Sequence, residues 1–142
     1  MYIILIPIAL IILATIVLYV SGGIISLTHP LGGKEEKIRE NLLITMPLGT
    51  TMDDVVKIIE SNEWDEYKIF DYGYAIIGGF PKSAYQNEYD SDRDSIIGNK
   101  HIKATIGKYW SPLIEVYVMV YLGFDEESKL IEISVQKGGI FF

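Results

Sequence analysis

Hydrophobic residues follow three successive patterns along this chain. The first is unbroken. Tyr2 to Leu27 reads YIILIPIALIILATIVLYVSGGIISL without a charged residue. At about 1.5 Å per residue a helix of this length crosses a hydrocarbon core of roughly 30 Å with some tilt. The second pattern is helical. Ile38, Leu42 and Leu43 are spaced for one face of a short helix over 34–43. Met52, Val55, Ile58 and Ile59 form the stripe of a helix from Thr51 to about Asn62. Thr51 is its N-cap, and Asp53 and Asp54 in the first turn complement its free amides and dipole.

The third pattern is alternation. Ile102, Ala104 and Ile106 oppose His101, Lys103 and Thr105. Ile114, Val116, Val118, Val120 and Leu122 oppose Glu115, Tyr117, Met119 and Tyr121. Ile131, Ile133 and Val135 oppose Glu132, Ser134 and Gln136. Period two with one apolar face predicts antiparallel strands, the last two joined by a hairpin loop over Phe124–Lys129. Tyr67 to Ile77 also reads as a strand with Gly73 inside it, ended by Gly78, Gly79, Phe80 and Pro81; Pro81 to Asn99 reads as a long polar loop. Helices followed by a meander predict an α+β fold with one or two helices packed on an antiparallel sheet. The expected organisation is a transmembrane anchor over 1–28, a His29–Gly33 linker and an α+β domain over 34–142.

Charge sharpens that division. All 12 basic and 19 acidic residues follow Gly33, so the net charge of −7 belongs to the domain. An acidic domain without a basic stripe repels phosphate, which argues against nucleic acid as a partner and against long-range attraction to anionic lipid. With no cysteine there is no disulfide, no thiolate chemistry, no thiolate zinc site and no lipid-bearing Cys. The leader lacks a basic n-region and an A-x-A cleavage site, for which Ser21 and Gly23 are weak substitutes, and its apolar run exceeds that of a signal peptide, so an uncleaved anchor is expected over a cleaved signal peptide. Lys34, Lys37 and Arg39 follow the span, which by the positive-inside rule favours a cytoplasmic domain.

Candidate chemistry is sparse. Asp90, Asp92 and Asp94 have the first three spacings of a calcium loop, but Ser95 and His101 stand where Gly and Glu are needed, so no metal is expected. His29 and His101 have no companion ligands and no Ser has a nucleophile-elbow context. Gly78-Gly79 and Gly138-Gly139 lack a phosphate-loop context. No catalytic residue and no cofactor are expected. The ten tyrosines and two tryptophans carry more information. Tyr109, Trp110, Tyr117, Met119 and Tyr121 form the expected partner surface, because an exposed Tyr/Met sheet face suits protein contacts. Burial of that face beneath the 34–43 helix is the alternative. The tail Ile140-Phe141-Phe142 is expected to be packed or interfacial.

Two segments carry a family resemblance. Met46-Pro47-Leu48-Gly49-Thr50-Thr51-Met52-Asp53-Asp54-Val55 and Gly123-Phe124-Asp125-Glu126-Glu127-Ser128-Lys129-Leu130-Ile131-Glu132-Ile133 resemble small bacterial envelope domains. These are of the outer-membrane-assembly lipoprotein type, with a β-lactamase-inhibitor-protein-like fold. The resemblance implies non-enzymatic protein contacts in the cell envelope and favours the extracytoplasmic side; the chain departs from the type in its apolar 2–27 span and its lack of a lipid-bearing Cys. The functional expectation is therefore a membrane-anchored, non-catalytic protein-interaction module of the bacterial cell envelope. An anchored immunity or inhibitor protein, binding a basic toxin through Asp90, Asp92 and Asp94, is the alternative. A small hydrolase is the third.

Overall fold

A computed structural model of the chain describes residues 29–77, 79–83, 96–111 and 114–141. Helix α1 (Glu35–Thr45) and helix α2 (Met52–Ser61) precede seven strands: β1 (Glu66–Phe70), β2 (Tyr74–Ile77), β3 (Phe80–Ser83), β4 (Ile96–Ile97), β5 (Lys100–Ser111), β6 (Ile114–Phe124) and β7 (Leu130–Phe141). The main sheet has the order β1-β5-β6-β7, and a smaller one has the order β3-β2-β4; every pair is antiparallel. The fold is α+β, as the patterning predicts. The expected anchor over 1–28 and the expected loop bearing Asp90, Asp92 and Asp94 lie outside the described residues, and among those described no helix is long and apolar enough to cross a membrane.

Local chemistry sets the helix ends. The Thr51 hydroxyl accepts from the Asp54 amide at 3.3 Å and donates to the Asp54 carboxylate at 2.9 Å. Lys57 and then Thr51 hold that carboxyl below its ordinary range. At the other end the chain turns through Glu63 at φ 52, with Trp64 N–H donating to the Ile59 carbonyl and Glu63 N–H to that of Glu60. This is a left-handed C-terminal turn that frees Trp64 to pack against the core.

Both helices cover one face of the main sheet. Val55 and Ile59 of α2 pack on Ile102, Val120, Leu122 and Ile133, all buried, while Ile38 of α1 packs on Tyr109 and Val118. The α1–α2 connection is tied to the β6–β7 hairpin. Gly49 N–H donates to Leu130 O (2.7 Å), Leu130 N–H to Thr50 O (2.8 Å) and Met52 N–H to Ser128 O (2.9 Å). The hairpin turn is held by Asp125, whose carboxylate accepts from the Lys129 amide, with Ser128 at φ 60. The two segments that carry the family resemblance thus bond to each other.

Three details depart from the sequence reading. The 67–77 segment is two strands in two sheets, because the chain crosses over at Gly73. A Cβ there would lie 2.1 Å from the Gly98 carbonyl oxygen, so only glycine fits. The 81–99 stretch, read as a loop, contributes β3 residues and β4 to the small sheet. Bulges interrupt the alternation at Ile106 on β5 and at Ile131 on β7. The extra residue shifts every later side chain to the other face. Leu130, at 1% exposure, therefore fills the core place expected of Ile131, which is 40% exposed.

Candidate interaction face

The outer face of the main sheet, away from the helices, carries Glu115, Tyr117, Met119, Tyr121 and Gly123 from β6. Its Gly123 end is covered by the small sheet. A Cβ on Gly123 would meet Ile97 at 3.0 Å and Tyr74 at 3.1 Å, so the missing side chain admits both. An aromatic and polar layer fills the contact. Phe70 stacks on His101 with ring centroids 4.5 Å apart, and Tyr74 lies 5.5 Å from Tyr121. Tyr74 shares a 2.9 Å hydrogen bond with Ser134, and its burial pushes the phenol up to about 12. His101 is fully buried, and its Nδ1 lies 2.6 Å from the Tyr72 carbonyl. A carbonyl only accepts, so Nδ1 carries the proton. Burial holds the imidazole below its ordinary 6.5, hence neutral.

The five residues expected to share a partner surface are therefore divided. Tyr121 is buried under the small sheet, which the alternation could not reveal. The Ile106 bulge turns Tyr109 to the helix side, where it is buried against Ile38 and stacks on His29 at 5.3 Å. Trp110 turns outward at 56% exposure. Tyr117 and Met119 lie half-buried on the outer face. Helix α1 does not cover that face; it lies on the other.

Tyr117 belongs to a polar cluster. Its hydroxyl donates to Glu115, and Lys108 reaches the same carboxylate at 3.2 Å. The hydrogen bond from Tyr117 and then Lys108 hold the Glu115 carboxyl low; Glu115 holds the Tyr117 phenol and the Lys108 ammonium high. A general acid or base needs a pKa drawn toward the working pH, and all three groups move away from it. The cluster is arranged for orientation and hydrogen bonding.

Beyond Met119 the face opens into a groove of about 280 Å³ running to the β1 edge. Lys68, Lys103 and Glu66 line it with Phe70, Thr105 and Met119. It sets two cations and one carboxylate around the Met119 and Phe70 side chains. The opposite edge, β7, is closed by α1. Arg39 donates to the Ile133 carbonyl at 2.8 Å and pairs with Glu132 at 2.8 Å, and Glu35 accepts from the Lys137 amide at 2.9 Å. Side chains so placed occupy backbone groups that another strand would use. An open cleft of about 600 Å³ beside this clamp is lined by Glu36, Arg39, Ile76 and Glu132. Neither the clamp nor the groove was visible in the sequence, because both join residues far apart in the chain.

Among the described residues no group of three or more His, Asp or Glu side chains could hold a metal. His29 accepts from the Leu31 amide through Nδ1 at 3.1 Å, a local turn contact. No protein-family model, no curated protein and no solved structure matches the chain.

Proposed function

We propose that this chain is a single-pass membrane-anchored protein-interaction module of the bacterial cell envelope, without catalysis. Residues 2–27 act as the anchor and the α+β domain stands on the extracytoplasmic side. The partner is another protein, and it docks on the outer sheet face around Tyr117 and Met119 and in the adjoining groove. The supporting observation is the groove's make-up: Met119 and Phe70 side chains bordered by Lys68, Lys103 and Glu66. Half-buried aromatic and methionine side chains supply contact area at low ordering cost, and flanking lysines suit an acidic rim on the partner. Tyr109 and Tyr121, being buried, leave the proposed surface.

Two measurements test this reading. Alkaline extraction of membranes should leave the full chain in the pellet, and release would contradict the anchor. The chain has no cysteine, so a Glu127→Cys variant in the exposed hairpin turn gives a single reporter of sidedness. Modification in intact cells by an impermeant thiol reagent supports the extracytoplasmic placement; modification only after lysis contradicts it.

A further inference from the structure

The structure ties the first described residues to one end of the long β5–β6–β7 ribbon. His29 stacks on Tyr109, and Leu31 approaches Gly107 so closely that a Cβ there would lie 2.8 Å from its Cδ1. Lys137 donates to the Gly33 carbonyl and sits over the Tyr109 ring at 5.3 Å. Only Thr28 separates residue 29 from the apolar 2–27 segment, so this end of the ribbon is where that segment joins the domain.

The same end carries a row across three strands on the outer face. Trp110 pairs with Glu115, and Glu115 with Ile140. Trp110 is 56% exposed and Ile140 50%. Between them Glu115 is nearly buried, paired to Lys108 and bonded by Tyr117. Tryptophan and tyrosine partition to the boundary between headgroups and acyl chains, and lysine stems reach back to the headgroups. One such cation, Lys108, lies against Tyr117 on this face.

We infer that the Trp110–Glu115–Ile140 row seats in the interfacial layer of the bilayer that the 2–27 segment enters, so that the ribbon stands with this end on the membrane. The inference rests on the anchor reading of residues 2–27. The tether supplies the high local concentration that makes a small apolar contact sufficient. The acidic charge of the domain gives no electrostatic attraction, so the seating depends on apolar and aromatic partitioning and is insensitive to salt. It also divides the outer face. Thr105, opposite Met119, lies about four ladder steps from Trp110, or roughly 13 Å, so the groove stays in water above the interface.

The test uses the full chain in phosphatidylcholine vesicles with bromine at shallow or deep acyl positions. A Trp64→Phe chain reports Trp110 alone, and a Trp110→Phe chain reports Trp64 alone. Trp110 emission should be lost most with shallow bromines, at low and high salt alike, while Trp64 emission is unchanged. Equal Trp110 emission in brominated and plain vesicles, with the chain still floating with the vesicles after an alkaline wash, overturns the seating and leaves the anchor standing. Failure to float overturns both. A polarity-sensitive label on Ile140→Cys, with Ile131→Cys at the far end as control, gives a second readout that needs no change at Trp64. A blue shift at 140 alone supports the seating, and no shift at either overturns it.

Discussion

The two faces of the main sheet are built from different materials. The helix-covered face is aliphatic: Ile102, Val118, Val120, Leu122 and Ile133 are wholly buried beneath Ile38, Val55 and Ile59. The outer face is aromatic and polar, with His101, Tyr74 and Tyr121 sealed at one end and Trp110, Tyr117 and Met119 reaching solvent toward the other. The difference separates tasks. Aliphatic packing supplies stability that needs no partner groups. The outer face holds its polar atoms by specific hydrogen bonds and leaves part of its area exposed.

Substitutions should break this contrast unequally. Leu122→Ala removes a fully buried side chain from the aliphatic layer and should cost about 3 kcal/mol in denaturant unfolding. Met119→Ala, three residues earlier on the same strand but on the outer face, should cost about 1 kcal/mol or less. Equal losses would mean that the outer face is as much a core as the inner one.

Gly73→Ala should cost about 2 kcal/mol through overpacking, since the added methyl meets backbone rather than a flexible side chain. Its effect should also be local. Amide exchange in β2 and β4 should accelerate while β6 amides keep their protection, and uniform acceleration would show that the small sheet is not a separate layer.

Acid should act on the outer face first. His101 has a folded pKa below its ordinary 6.5, so the unfolded chain takes up a proton that the folded one resists. Stability from this site is full above about pH 6.5 and falls as pH drops from there through the folded value. Unfolding free energy followed from pH 7 to 5 should decline for the native chain and flatten in His101→Gln. An unchanged slope in the variant would assign the acid sensitivity to carboxylates.

Much of the inner face was legible in the sequence because its signals are local. The Thr51 cap, the 52–61 stripe and the alternation along β5, β6 and β7 each involve residues within a turn or a strand. The outer face was less legible. One bulged residue, Ile106, inverts the sides of Tyr109 and Trp110, and the local mark of it is the glycine that follows, Gly107 at φ 154. The small sheet combines two four-residue strands with a two-residue one, too short to show a period. Its partners, such as Tyr74 and Ile97, meet only through pairing across the chain. The clamp of Arg39 on Ile133 and Glu132 reads in the sequence as ordinary helix-surface charge.

The most direct test places a photoactivatable cross-linking residue in the full chain, in cells, at Met119 on the groove floor or at Ile131 on the exposed bulge. A discrete protein adduct at Met119, missing at Ile131 and lost when Lys103→Glu reverses the charge beside the groove, is the predicted result. The same adduct at both positions, or none at Met119, would contradict the outer face as the docking surface.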